Sequence, residues 1–475
     1  MNDNIIFRGV WWLPNKPDEK VYGALIQTQF KNELLLETED YGVRTIENYF
    51  DEKLKTNNIF LGESLHRQKI TLMNVVAQYS SCYFPYAKGR FFIEYVFFGE
   101  HFKTPEDIKF KQIKTQYNHL PEWLNINGFK LNFGEEKNIF CRLEYKIPKE
   151  IKIKLNEKTT LKFSFGVVGP TNYVVVNEQK ITQDTFVMFE CVEKYNFKTY
   201  LHLNKVFRDF LTLATQKHTQ IENIVGIIET KLVSKIVTFN IPKEIKIITR
   251  LNPIKKNTTS EILPFEMLFS FKDIEEDYES IIKNWFENYS KLGLLIHSYF
   301  EFIYNPDNNL EYTFLALIHA LEGYHRVNYG GCYYGKKKYA DEILPLLKKS
   351  IPENLAEGHK EALKSKLNYG YEYSLIKRLN DILTDYSTIL DKKDTKKIKK
   401  HIPIIVDIRN YYVHQDTTTF HGTPKAKDVL KYTLLLKRII EYSFFRNMGL
   451  NSEKIKKLME NYYSNHKLKN WHEVS

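Results

Sequence analysis

At 475 residues the chain is too long for a single core, so two or three domains are expected. Hydrophobic residues at 43% and aromatics at 15% exclude a disordered chain over most of its length. The balance of 69 Lys and Arg against 58 Asp and Glu, a formal +11, favours encounter with polyanions without specifying one.

From the start to about residue 265 the pattern is one of short strands. Segments 90–98 (RFFIEYVFF), 161–168 (LKFSFGVV), 173–177 (YVVVN) and 185–191 (TFVMFEC) are rich in β-branched and aromatic residues and are bounded by turn residues. The run 205–215 (KVFRDFLTLAT) has near-helical apolar spacing and predicts one helix packed on the sheets. Two similar pieces, 147–153 and 241–247 (both IPKEIKI), read as edge strands opened by proline. Beyond residue 265 the spacing turns helical, with helices predicted over 273–304, 312–324, 340–350, 374–386, 402–413 and 426–447. The expected architecture is therefore α+β multidomain: a β-rich, sandwich-like domain over 1–265 followed by an all-α bundle over 266–475.

Cys82, Cys141, Cys191 and Cys332 form no CxxC pair, which argues against a zinc cluster or a disulfide scaffold and fits a reducing cytosol. No stretch reaches the roughly 20 apolar residues that cross a bilayer. Residues 1–14 lack the basic start and apolar run of a signal peptide. The reading is a cytoplasmic protein with no membrane partner, no cofactor and no metal.

One constellation carries chemistry. In 404–416 (IIVDIRNYYVHQD), Asp407, Asn410 and His414 stand at i, i+3 and i+7, which places them on one helix face beside Ile404, Ile408, Tyr411 and Tyr412. A polar stripe in apolar surroundings is costly unless its members are paired or act chemically. Arg409 precedes His414 by five positions, about 140° around a regular helix, so the two converge only if the helix distorts or a second subunit completes the site. Histidine suits proton transfer near neutrality, and arginine presents a forked, permanent charge to phosphate. That pair is what metal-free RNA cleavage needs.

Other motifs carry less. Segment 330–337 (GGCYYGKK) has the glycines and lysine of a P-loop, but Lys337 stands where Mg²⁺ would need Ser or Thr, and the segment reads as a loop. His319 and His325 are about 240° apart on a helix and do not share one metal ion easily, which leaves Glu322 to a buried hydrogen bond or ion pair. The lysines of 392–400 (KKDTKKIKK) read as an exposed connector that either guides RNA or is merely solvated.

Residues 409–414 (RNYYVH) match the Arg-x4-His motif of HEPN domains, including the polar residue after the arginine. Segment 314–325 (FLALIHALEGYH) resembles an early HEPN helix, and 374–383 (SLIKRLNDIL) resembles the helix before the motif. With 9–14 (GVWWLP), 59–63 (IFLGE) and the 205–215 helix, the chain resembles the ApeA-like HEPN proteins of bacterial anti-phage defence. The resemblance implies a sensing or regulatory domain over 1–265 and a metal-independent endoribonuclease over 266–475, acting in abortive infection. It implies cleavage by 2′-hydroxyl attack, with His414 as acid or base, Arg409 as phosphate clamp, and Asn410, Asp407 and Glu322 in support. The implied partners are an RNA substrate, tRNA among the candidates, a phage-derived trigger, and a second copy of the chain in a homodimer or higher even assembly built through the α domain. The competing reading is a non-catalytic HEPN protein that binds a nucleotide or partner chain, with the β domain recognising a ligand.

Overall fold

A computed structural model of the chain describes residues 5–28, 31–39, 59–83, 86–134, 140–169, 180–233, 238–249, 262–414 and 423–466. It divides into two units, Met1–Glu279 and Ser280–Ser475. The strand expected at 173–177 lies outside the described residues.

In the first unit, β1 (Ile5–Trp12), β2 (Val21–Gln27), β3 (Asn32–Glu39), β4 (Ile59–Ser64), β5 (Lys69–Tyr83) and β6 (Tyr86–Phe98) pair antiparallel in the order β6-β3-β2-β1-β4-β5. The pairing of β5 with β6 closes them into a barrel. Alternation along the strands turns Trp11, Leu25, Leu34, Phe60, Leu72 and Phe91 into its core. Gly62 is required there, because a Cβ at this position would lie 2.2 Å from the Trp11 ring.

The remaining strands are β7 (Lys109–Tyr117), β8 (Phe129–Phe133), β9 (Cys141–Tyr145), β10 (Ile151–Lys154), β11 (Thr159–Val168), β12 (Thr182–Asn196), β13 (Ile221–Val233) and β14 (Thr238–Thr249). β8 and β9 form a separate hairpin, and the rest continue from β6 in the order β14-β13-β7-β12-β11-β10. β6 joins the two parts, since one edge pairs with β3 as far as Ile93 and with β14 from Tyr95 onward. The expected sandwich-like stacking is thus replaced by a barrel that opens into a sheet, because the 13-residue β6 serves both. Helix α1 (Phe197–Thr215), begun by the Asn196 side chain accepting from the Thr199 amide, covers this sheet. Its Phe207 and Phe210 meet Tyr117, Phe163 and Trp123 edge-on or tilted.

Of the two IPKEIKI pieces, the first contributes the edge strand β10, but the second lies inside β14, between β13 and β6. Pro242 is tolerated because it faces Glu229 of β13 at a point where pairing with β6 has not begun; that pairing runs from Lys246. The division between units falls after Glu279 instead of at residue 265, for a physical reason. The Leu268 amide donates to the Ala214 carbonyl (2.8 Å), the Phe271 amide to the Trp123 carbonyl (3.0 Å) and the Trp123 indole to the Phe269 carbonyl (3.2 Å), which ties this segment to the first unit.

The second unit is helical: α2 (Tyr278–Tyr304), α3 (Leu310–Tyr329), α4 (Glu357–Leu367), α5 (Leu375–Tyr386), α6 (Lys392–His414), α7 (Ala426–Asn447) and α8 (Ser452–Asn465). α2 kinks at Gly293, where φ is 40°. α7 packs on α3 and α5, and α6 packs on α5 and α3. Trp285, Tyr299, Phe300 and Phe444 form an aromatic centre, with Phe444 stacked on Phe300 and edge-on to Trp285 and Tyr299. No described helix is long and apolar enough to cross a membrane.

Candidate active site

Helix α6 forms because Ile398, Ile402, Ile405 and Ile408 recur at helical spacing and are buried. It starts at Asp391, whose carboxylate accepts from the Asp394 amide at 2.7 Å. The segment expected to be a connector, 392–400, is therefore the first part of the helix, and Lys392, Lys393, Lys396, Lys399 and Lys400 are exposed along it. Pro403 lies inside the helix without ending it.

The helix runs without a break to His414, its last residue, which is exposed. Arg409, half-buried, donates from Nη1 to Asn410 Oδ1 at 3.1 Å and has no ion-pair partner among the described residues. Asp407 and Asn410 are half-buried on the face that leads to His414. Ile408 is buried, whereas Ile404 (38% exposed) and Val413 (47%) face outward. Tyr411 Oη donates to Thr423 Oγ1 at 3.4 Å. Burial first, then the charges of Glu311 and Tyr411, push the Tyr412 phenol up. With the helix regular, Arg409 and His414 remain about 140° apart around its axis.

Glu322 stands elsewhere. Glu311, whose charge reaches Tyr412, opens α3, and Glu322 is eleven residues further along, about 16 Å by the helical rise. Its carboxylate accepts from Arg326 at 3.1 Å and lies 3.9 Å from Arg378. It belongs to a buried polar cluster, not to the stripe on α6.

The family model of the ApeA N-terminal domain 1 matches residues 6–285, and that of the Apea-like HEPN domain matches residues 315–454. The chain belongs to the ApeA-like HEPN family. The second match covers α3 to α7 and therefore the whole of 407–414. HEPN domains in general are RNA-cleaving domains, and the ApeA-like group is tied to anti-phage defence. No curated protein and no solved structure matches the chain.

Within this HEPN domain the cluster around Arg378 was not foreseen from sequence. Arg378 is fully buried on α5 and donates to the carbonyls of Tyr373 (3.0 Å) and Gly331 (3.1 Å), with Nη1 3.4 Å from His325 Nδ1. His325, also fully buried, places Nε2 3.1 Å from Asp381, which Lys377 also contacts. Burial holds the His325 pKa below its ordinary value, and the Asp381 contact only partly offsets this. The neutral tautomer with Nε2–H donating to Asp381 and Nδ1 accepting from Arg378 satisfies both contacts. One signal was available: Arg378 shares a helix face with Leu375, Leu379 and Ile382, and a guanidinium on an apolar face needs acceptors. Among the described residues no group of three or more His, Cys, Asp and Glu could hold a metal.

Proposed function

We propose that the chain is a metal-independent endoribonuclease of anti-phage abortive infection whose catalytic groups are Arg409 and His414. The observation that carries this reading is that neither group has an ion-pair partner among the described residues. Arg378 and Arg326 are taken up by carboxylates and carbonyls, whereas among the described residues Arg409 holds only its neighbour Asn410, and His414 is exposed at the helix end. A pair serving structure would be buried and partnered.

The ribose 2′-hydroxyl attacks phosphorus, the bond to the 5′-oxygen breaks, and a 2′,3′-cyclic phosphate remains. His414 takes the proton from the 2′-hydroxyl or supplies one to the leaving oxygen. Arg409 holds the phosphate oxygens as charge builds on them. The Asn410 bond fixes the guanidinium, and Asp407 stands on the same helix face as the histidine. The exposed lysines of α6 supply a positive approach for RNA, tRNA among its forms. Because the two groups diverge on one helix, the cleft is completed by a second copy in a homodimer or higher even assembly, with Ile404 and Val413 supplying apolar surface beside the motif. The first unit is the natural seat of control, responding to a phage-derived trigger in the cytoplasm.

The test is total RNA incubated in EDTA with the wild-type chain beside His414→Ala. Cleavage that leaves cyclic phosphate ends and disappears in the variant supports the reading. Equal cleavage by both chains overturns the site.

A further inference from the structure

The hairpin β8–β9 stands apart from the main sheet of the first unit. Among the described residues it is a two-stranded sheet of its own, so the outer backbone edge of each strand has no strand beside it. One side chain of β12 holds its base. Gln183 Oε1 accepts from the Gly128 amide (3.0 Å) and the Tyr145 hydroxyl (3.2 Å), while Gln183 Nε2 donates to the Ile126 carbonyl (2.9 Å). The register sets Phe129, Leu131 and Phe133 opposite Tyr145, Leu143 and Cys141, which gathers six largely apolar side chains on one face. That face is open: Leu131 is 52% exposed, Leu143 47%, Phe133 66%, and Phe140, next to Cys141, 84%.

Two strands with an uncovered apolar face are marginal in water, and a third strand is what makes such a sheet stable. The face and its surroundings also specify that strand. Side chains laid across from Phe129, Leu131 and Phe133 must be apolar. Around the hairpin the exposed Lys130, Arg142, Lys146 and Lys149 outnumber Glu144 and Glu150, a surplus that calls for acidic residues in between. Strands of five residues give a face of about 17 Å by about 10 Å, far short of the about 800 Å² per partner that a stable interface between two copies buries. Leu131 and Leu143 offer no ring for a nucleic-acid base to stack on, and open backbone edges are costly in lipid. We infer that the hairpin binds an extended segment of another polypeptide, alternating apolar and acidic residues, which adds as a third strand. The inference goes beyond the ribonuclease reading: it gives the class of molecule that the first unit receives, and its test reads binding and not cleavage.

Fluorescence anisotropy of the full chain with a labelled peptide of alternating valine and glutamate tests it. One control peptide carries lysine for glutamate, and another has its backbone amides N-methylated, so that it cannot pair with a strand edge. Cys141, exposed on the same face, reports the site through its alkylation rate, read by mass spectrometry. Saturable binding of the valine–glutamate peptide is expected, about tenfold or more tighter than that of either control, with slower alkylation of Cys141 in the complex. The double variant Leu131→Ser, Leu143→Ser should weaken binding by about tenfold or more. Both leucines are exposed, and an unchanged melting temperature verifies that the variant folds. Absence of binding, equal binding of either control, or unchanged affinity in the variant overturns the inference. So does alkylation of Cys141 in the unbound protein as slow as that of the buried Cys191, which would mean that the chain itself or a second copy already covers the face. Displacement of the peptide by a 2′-O-methyl oligonucleotide would mark a general polyanion site and overturn it too.

Discussion

If the catalytic cleft is shared between two copies, two inactive variants should rescue one another. At about 100° and about 1.5 Å per residue, five residues of regular helix separate Arg409 from His414 by about 140° and about 7.5 Å along the axis. Two side chains so divergent do not close on one phosphate from the same helix, whereas Arg409 of one copy and His414 of the other can. Each Arg409→Ala or His414→Ala homodimer lacks one group in both composite sites and should lose about 10²- to 10⁴-fold in rate. A heterodimer of the two variants contains one site lacking both groups and one lacking neither, so it should retain about half of the wild-type rate per dimer. The assay is co-expression of the variants under two different affinity tags, tandem purification of the mixed species, and cleavage of a labelled RNA in EDTA. Neither substitution should alter the fold, since Arg409 makes a single side-chain bond among the described residues and His414 is exposed. A heterodimer as inactive as its parents, with the wild type active, would refute the shared cleft and place both groups in one copy.

Arg378→Met removes a fully buried cation from carbonyl and carboxylate acceptors; it should cost the helical unit about 3–5 kcal/mol and lower its melting temperature by about 10 °C. Arg326→Met, at an exposed pair, should cost less than about 1 kcal/mol, and equal shifts for the two would remove the distinction. In the first unit, burial foremost, then Lys217 and His218, hold the His119 imidazole at about 4, below its ordinary 6.5. The unfolded chain then takes up the proton first, so this contribution to stability is complete above about pH 6.5 and is lost as pH falls through about 4. His119→Asn, which tolerates the residue's φ of 65°, should flatten that slope in urea titrations at pH 7 and 4.5; an unchanged slope would absolve His119. A fragment of residues 278–475 should stay soluble where 266–475 aggregates, because the longer one carries Met267, Leu268, Phe269 and Phe271, buried in the first unit, as exposed apolar residues. Light scattering of both fragments decides the matter.

The features legible in sequence were those with strong local periodicity. Ser374 capping α5 and the apolar face of α7 gave helices whose observed limits nearly coincide with those expected. The stripe on α6 was legible because three polar residues interrupted an apolar repeat. The start of α6 was not, because Pro403 imitates a helix beginning and the lysines before it imitate a loop; the buried Ile398 and Ile402, four residues apart, outweigh both. α4 and α8 were missed because their polar composition leaves a weak apolar signal. Barrel closure depends on β3 meeting β6, two strands far apart in the chain whose pairing no local pattern encodes.

The double duty of β6 has a mechanical consequence. The barrel and the open sheet hold the same strand, one through Ile93 and the other from Tyr95. Neither part can melt, slide in register or change its twist without straining the other, because each interstrand bond is anchored to one continuous backbone. Hydrogen exchange should therefore show Phe91 to Phe98 among the slowest amides of the first unit, with barrel and sheet opening in one cooperative step. A molecule gripping the barrel would reach the distant sheet as torque on a common axle, with no loop between them to absorb it.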